Sequence, residues 1–297
     1  MADRWIRVAA APAGGGGGTT AYWETLWSAE KVRGAVHLLP ALASALGDAT
    51  RVLESGCGPA WFLDPLEAGG RTLVGVDLAS RAVRQAHERE PGLRLAIADV
   101  GSLPFSAATF DAVLSLGVVE HDEDGPVHLL AEQRRVLRPG GRLVLTVPHR
   151  NWLRRATDLW HHTVRRRQEY PQGGRLVRRR RATAPDGRGD FHQYEFTPGQ
   201  LRRRLHDAGF EISSWSGLDV GTGLRDLRTR PVAPTADDTS PAEAERARTG
   251  RGRAPRWLHA AVFGSEAVGP LGTAVRSLAG RALGHLQLVV ATPSVDP

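Results

Sequence analysis

The stretch Arg51–Ala60, RVLESGCGPA, is where this chain is equipped to hold a ligand. An apolar run ends at Glu54 and passes into Gly56-Cys57-Gly58-Pro59-Ala60 before a helical segment. Glycines there admit backbone angles closed to other residues and let a ligand reach the main chain. Asp77 ends the next apolar run, 21 positions after Gly56. An acid at that distance can accept hydrogen bonds from both hydroxyls of a ribose, each worth roughly 1.5–3 kcal/mol when charge-assisted. The plainer reading of Asp77 is a cap for the helix opening at Ala79-Ser80. A dinucleotide fingerprint wants a third glycine where Trp61 stands, against the pyrophosphate. The indole disfavours NAD or FAD and points to a smaller adenosine ligand.

These residues need strands to present them. Short apolar runs at Arg51–Glu54, Thr72–Asp77, Leu93–Ala98, Phe110–Leu116 and Arg142–Val147 are nearly continuous, as in strands buried on both faces. Helical segments near Trp61–Glu67, Ser80–Glu90 and Val127–Leu137 alternate with them, which predicts a parallel sheet with right-handed crossovers. Thr197-Pro198 opens a later helix that Gly209 closes. Phe210–Trp215 and Leu286–Thr292 read as the last two strands. A helical stretch is expected over Tyr22–Leu46, with Trp23, Leu26 and Trp27 on one face.

Taken in order, these motifs resemble the class I S-adenosylmethionine-dependent methyltransferases, especially the small-molecule enzymes related to the ubiquinone and menaquinone methyltransferases. VLESGCGPA is similar to their first motif and VGVDLAS (Val74–Ser80) to their second-strand acid. Ala98-Asp99-Val100 before SLPF, TFDAVLSLGVVEH (Thr109–His121) and LRPGGRLVLTVP (Leu137–Pro148) resemble their following elements. HLQLVVATP resembles their seventh strand. The likeness is strong over about 48–148 and weaker over 192–216 and 284–293. One departure is Ala60, where the pattern has a third glycine.

The resemblance implies an α/β, Rossmann-like, mostly parallel seven-stranded sheet with helices on both faces, an antiparallel last strand and lid insertions. It implies S-adenosyl-L-methionine as cofactor. Glu54, Gly56, Cys57, Gly58 and Ala60 would line its methionine end, Asp77 would hold the ribose and Leu78 would pack on adenine. Asp99 and the Val100 backbone would meet the adenine amino group, and Leu116 and Gly117 would lie near the sulfonium. Tyr22 and Trp23 would close over the site or pack in the core. The expected activity is methyl transfer to a small molecule by in-line displacement. Such a donor is already activated, so alignment carries most of the catalysis. A base is needed only when the acceptor's proton must leave early. His121, His149 and His192 are the candidates, with a structural or cofactor-side role as the alternative for His121. Trp152 and Tyr194 are expected to face substrate. The alternatives are a methyltransferase for RNA or a phosphorylated lipid or glycan carrier, and a non-catalytic S-adenosylmethionine-binding protein.

Composition sets outer limits. A chain of 297 residues with 41% hydrophobic and 24% charged residues suits one enlarged globular domain. One cysteine excludes a disulfide framework, and no metal-ligand set is found: His161-His162 lack acids at ligand spacing. No apolar run reaches the roughly 18 residues that span a membrane, and residues 1–13 make a poor signal peptide, so a cytoplasmic protein is expected. The formal charge is +7, and Lys31 is the one lysine among 39 basic residues. Residues 150–181 hold 11 arginines against Asp158 and Glu169, a local charge of +9. That segment suits an anionic small-molecule substrate; nucleic acid is not expected, because no RNA-binding module accompanies it. The oligomeric state is not legible.

The expected organisation is a disordered leader at 1–20, a cap-helix region at 21–47 and the cofactor-binding core at 48–149. A basic lid follows at 150–196, then a core helix and sixth strand at 197–219. An insertion at 220–285 carries a disordered linker at 231–256 and amphipathic helices, and the last strand is at 286–293.

Overall fold

The computed structural model describes residues 4–8, 23–24, 27, 38–67, 69–122, 124–151, 190–218, 284 and 286–294. In chain order the strands are β1 (Arg4–Val8), β2 (Arg51–Ser55), β3 (Thr72–Asp77), β4 (Arg94–Ile97), β5 (Phe110–Leu116), β6 (Leu137–Pro148), β7 (Asp190–Glu195), β8 (Phe210–Leu218) and β9 (Leu286–Pro293). The helices are α1 (Leu39–Leu46), α2 (Leu63–Glu67), α3 (Ser80–Arg89), α4 (Val127–Val136) and α5 (Pro198–Asp207).

Seven strands form one sheet in the order β4-β3-β2-β5-β6-β9-β8. The β4-β3, β3-β2, β2-β5 and β5-β6 pairs are parallel. β9 runs antiparallel to both β6 and β8. This is the expected mostly parallel sheet with its antiparallel last strand. Strand order reverses between β2 and β5, and open sheets bind ligands at the carboxyl ends of strands beside such a reversal.

Apolar side chains alternate along the strands into two cores. One holds Leu53, Val113, Leu143 and Leu145 with Leu129 and Leu130 of α4 and Leu201 and Leu205 of α5. The other holds Val52, Ala112, Leu114 and Val144 with Leu42 and Leu46 of α1, Leu63 and Leu66 of α2 and Ala86 of α3. Both faces of the sheet are therefore covered, which is why the central strands read as unbroken apolar runs. α5 starts at a capping box: Gln200 N donates to Thr197 Oγ1 and Thr197 N to Gln200 Oε1. Gly209, at φ +76°, follows its end.

Three expectations are corrected. Residues 4–8, placed in a disordered leader, form β1, because their backbone pairs antiparallel with β7. β7 itself lies where a lid segment was expected. β6 begins at Leu137 rather than Arg142, since Leu137 pairs with Phe110 across an irregularity that accommodates Pro139-Gly140-Gly141. The helix expected over Tyr22–Leu46 is not contradicted: α1 covers Leu39–Leu46, with Pro40 in its first turn, Trp23 and Glu24 are helical, and most of residues 22–37 lie outside the described residues. The linker at 231–256 and most of the basic segment lie outside the described residues.

The amino ends of β2 and β5 are stapled by Asp111. Its Oδ2 accepts from Thr50 N (2.9 Å), Thr50 Oγ1 (2.7 Å) and Arg51 N (2.9 Å), and Arg138 lies 3.1 Å from Oδ1. Burial pushes this carboxyl up, but the Thr50 hydroxyl, the two backbone N–H groups and Arg138 together hold it below the usual range. A lowered folded-state value gives stability that is present above the unfolded aspartate range and is lost as pH falls through the folded value. Asp111→Ala should cost about 1–3 kcal/mol, because it strands three part-buried donors. Urea unfolding at pH 7 measures this. The difference from the native chain should shrink on acidification below the ordinary aspartate range, as the aspartate accepts a proton.

Candidate functional site

At the carboxyl end of β2 the chain turns back sharply. Gly56 N and Cys57 N both donate to Val76 O of β3, at 2.8 and 2.9 Å. Gly56 (φ +77°) and Gly58 (φ +50°) take left-handed backbone angles, which glycine adopts without strain. A Cβ on Gly56 would lie 2.5 Å from Val118 Cγ2, and one on Gly58 2.7 Å from Trp27 Cζ2. Ala60 is also left-handed, at φ +57°, a conformation that costs an L-residue roughly 1–2 kcal/mol. That conformation explains why the sequence pattern has glycine at this position.

Asp77, at the end of β3, grips the turn. Its Oδ2 accepts from Gly58 N at 2.7 Å and its Oδ1 from Ala79 N at 2.8 Å. The carboxylate thus holds both the glycine turn and the start of the α3 region. Burial outweighs these two bonds and raises its affinity for a proton. An ionised carboxylate has about four acceptor sites, so two remain after these bonds.

Two further carboxyls are buried at this edge. Glu54, from the last turn of β2, is 2% exposed, and its Oε2 has no hydrogen-bond partner among the described residues. Burial, reinforced by Asp77, pushes its proton affinity well above the glutamate range. Glu120 lies just past β5 in the short helical turn Val119–His121. It too is 2% exposed with Oε2 unpartnered among the described residues, and burial raises its pKa from 4.5 to about 8. A Cβ on Gly117 would lie 3.7 Å from Glu120 Oε1. The thiol of Cys57 is buried and pushed up by burial, Glu54 and Asp77, so it is a poor nucleophile.

The other expected site residues fall around this mouth. Leu116 and Gly117 end β5 beside it, with Gly117 at φ +73°. Leu78 is half-buried next to Asp77. Asp99 follows β4, one strand beyond β3; it is exposed and its Oδ1 accepts from Gly101 N at 2.8 Å, a turn contact. Val100 is half-buried and packs against the apolar core. His121 is half-buried, edge-on to Trp23 with ring centroids 4.8 Å apart.

His149 directly follows β6 at 1% exposure, edge-on to Trp215 at 5.5 Å. His192 and Tyr194 are on β7, and the Tyr194 ring lies 5.8 Å from that of Phe196. Tyr22 and Trp152 lie outside the described residues.

Three places in the chain were not singled out for the site in the sequence: the segment of Glu24 and Trp27, then Gln133, then Glu120. Trp27 lies against Gly58, and Glu24 Oε2 accepts from Arg81 N at 3.1 Å. Trp23, Glu24 and Trp27 therefore touch the mouth at His121, α3 and the glycine turn. Under the mouth, Gln133 Nε2 donates to Ser115 Oγ (3.1 Å) and Ser55 Oγ (3.4 Å). The third is Glu120, a carboxyl inside the apolar run LGVVEH; that unusual placement was the available signal.

Residues 53–145, which span β2 to most of β6, match the methyltransferase domain family. The chain is 27% identical over 183 residues, 60% of this chain and 59% of the relative, to a protein of Mycolicibacterium smegmatis named probable S-adenosylmethionine-dependent methyltransferase. It is 32% identical over 119 residues, 40% of this chain and 45% of the relative, to the malonyl-[acyl-carrier protein] O-methyltransferase of Erwinia pyrifoliae. The chain thus spans about half the length of these relatives. The crystal structure of geranyl diphosphate C-methyltransferase from Streptomyces coelicolor shares the fold, with a TM-score of 0.51, 16% identity, and coverage of 99% of this chain and 91% of that one. No helix among the described residues is long and apolar enough to cross a membrane.

The buried Glu120 makes stability depend on pH. Its folded-state value lies above its unfolded one, so its contribution is fully present below the ordinary glutamate range and is lost as pH rises through about 8. Without ligand, the native chain should therefore lose stability relative to Glu120→Gln between pH 5 and about 8.5. Thermal melts of the two proteins across that range check it; parallel curves would show that Glu120 ionises as freely as in water.

Proposed function

We propose that this chain is an S-adenosylmethionine-dependent methyltransferase that transfers the methyl group to a small-molecule acceptor by in-line displacement. One observation carries the reading: the Asp77 carboxylate is bound to the main chain of a left-handed glycine turn, beside the strand-order reversal of a methyltransferase domain. The residues fit the cofactor. The turn presents main chain without side chains at Gly56 and Gly58, Asp77 keeps acceptor sites for two ribose hydroxyls, and the orphaned oxygen of Glu54 is available to a cationic group such as the methionine ammonium.

When bound, the cofactor supplies a methyl group already activated on a positive sulfur. The chain's residues then have to orient and to exclude water. Asp77 accepts from the ribose hydroxyls while keeping the turn closed through Gly58 N. Leu78 offers apolar surface to the adenine, and Asp99 and the Val100 backbone stand one strand away for its amino group. Leu116 and Gly117 leave the end of β5 open beside the reacting centre. Trp23 and Trp27 cover the mouth; water excluded there strengthens every electrostatic contact inside. Proximity and orientation of this kind supply about 7–11 kcal/mol of the barrier reduction.

Tyr194 and His192, on β7 after the basic segment, are placed on the acceptor side in this reading. His149, 1% exposed and edge-on to Trp215, is a less suitable base than its position in the sequence suggests. An anionic acceptor would be drawn by the arginines of 150–181.

Asp77→Ala should weaken S-adenosylmethionine binding at least tenfold, about 1.4 kcal/mol, with the fold retained. Because Asp77 also holds two backbone N–H groups, Asp77→Asn serves as a companion that keeps one acceptor oxygen. Calorimetric titration with circular dichroism as the folding check decides it. Unchanged affinity in both variants would overturn the ribose role of Asp77.

A further inference from the structure

Glu120 has no use in the binding scheme above, yet it is among the most expensively placed groups in the molecule. A carboxyl that is 2% exposed, with an oxygen unpartnered among the described residues, is out of water without compensation. No arginine, lysine or histidine side chain is paired with it among the described residues. It lies over Gly117 at the end of β5, where the proposed function puts the reacting methyl group. The titratable groups on the elements around it are Glu54 and Cys57 after β2, Asp77 after β3, its neighbours His121 and Asp122, His149 at the end of β6, and His192, Tyr194 and Glu195 of β7. The strand-end carboxyls Glu54 and Asp77 are themselves pushed towards their neutral forms.

A positively charged sulfur is the counter-charge that such a carboxyl lacks. Its presence would favour the ionised form. Methyl transfer removes that charge: the sulfur keeps the electron pair of the broken S–C bond and becomes a neutral thioether. A carboxylate left behind in a buried site then has every reason to take a proton, and the acceptor has one to lose.

We propose that Glu120 is the proton acceptor of this site, held ionised by the sulfonium and taking the proton of a hydroxyl acceptor as the sulfonium charge disappears. The inference rests on the proposed function and adds the substrate class, a neutral hydroxyl rather than a preformed anion. The balance is complete. The acceptor's oxygen–hydrogen bond breaks as its oxygen–methyl bond forms, the S–C bond breaks, and the proton moves to Glu120 Oε2. The ordinary objection is that Glu120 is a structural residue; in that case its ionisation would be indifferent to the charge on the ligand's sulfur.

The sulfur charge is isolated by comparing two ligands. S-adenosylmethionine and S-adenosylhomocysteine share the ribose, the adenine and the α-ammonium, so proton release linked to Glu54 or Asp77 is common to both. They differ in the sulfonium. Calorimetric titration of each ligand at pH 7, in two buffers of different ionisation enthalpy, counts the protons released. The native chain should release up to about one proton more with S-adenosylmethionine than with S-adenosylhomocysteine. Glu120→Gln should abolish that difference while binding S-adenosylhomocysteine within about threefold of the native chain. Equal proton release for the two ligands in the native chain would overturn the inference, with no variant required. So would a difference that persists in Glu120→Gln. If neither ligand binds the native chain, the proposed function itself has failed.

Discussion

A single carboxylate holds two loops at the place where the sheet opens. Asp77 accepts from Gly58 N on one side and Ala79 N on the other. The turn is also held by the Val76 carbonyl of β3, which accepts from Gly56 N and Cys57 N, and by Arg89 of α3, whose guanidinium donates to Pro59 O. The constraint has a cost, because Asp77 is buried and Glu54 lies near enough to be pushed up by it. Two acids in one desolvated corner repel each other. The arrangement suits a ligand that brings hydroxyl donors and positive charge, which is the chemistry of an adenosyl sulfonium with its ammonium group.

The two ends of the central strand pair are built for opposite tasks. At the amino ends Asp111 is fully engaged by Thr50, Arg51 and Arg138, and its carboxyl is held below the usual range. At the carboxyl ends Glu54 and Glu120 are buried with orphaned oxygens, and both are pushed up. Beneath them Gln133 bridges Ser55 and Ser115 across β2 and β5. This polar layer sets the spacing of the two strands at the reversal. Acids that are satisfied contribute to stability; acids that are not mark the region reserved for a partner.

Much of this was legible before any coordinates. β2, β3 and β5 read clearly, because strands covered on both faces leave continuous apolar runs. Gly56 and Gly58 were legible because the turn needs left-handed residues, and Asp77 because it closes the next apolar run beside them. The pairing of β1 with β7 was not, since it joins segments some 180 positions apart and a short strand beside a glycine-rich stretch carries no local period. Trp27 read only as one member of a helical face, because helical spacing says which side chains share a face and not what that face covers. Glu120 was passed over in favour of its neighbour His121, since a sequence gives a carboxyl's position but not its desolvation. Asp99 shows the converse: its motif was recognised, while its contact to Gly101 N makes it a turn residue as well.

The central claim is that the mouth between β2 and β5 grips an adenosyl group through Asp77 and the glycine turn. A co-crystal structure with S-adenosylhomocysteine tests it most directly. The account predicts both ribose hydroxyls within hydrogen-bond distance of the Asp77 carboxylate, the amino-acid end against Gly56–Gly58, and the Trp27 ring moved or stacked to admit it. Density for the ligand away from Asp77, or a glycine turn still closed by Trp27 with the ligand bound elsewhere, would contradict it.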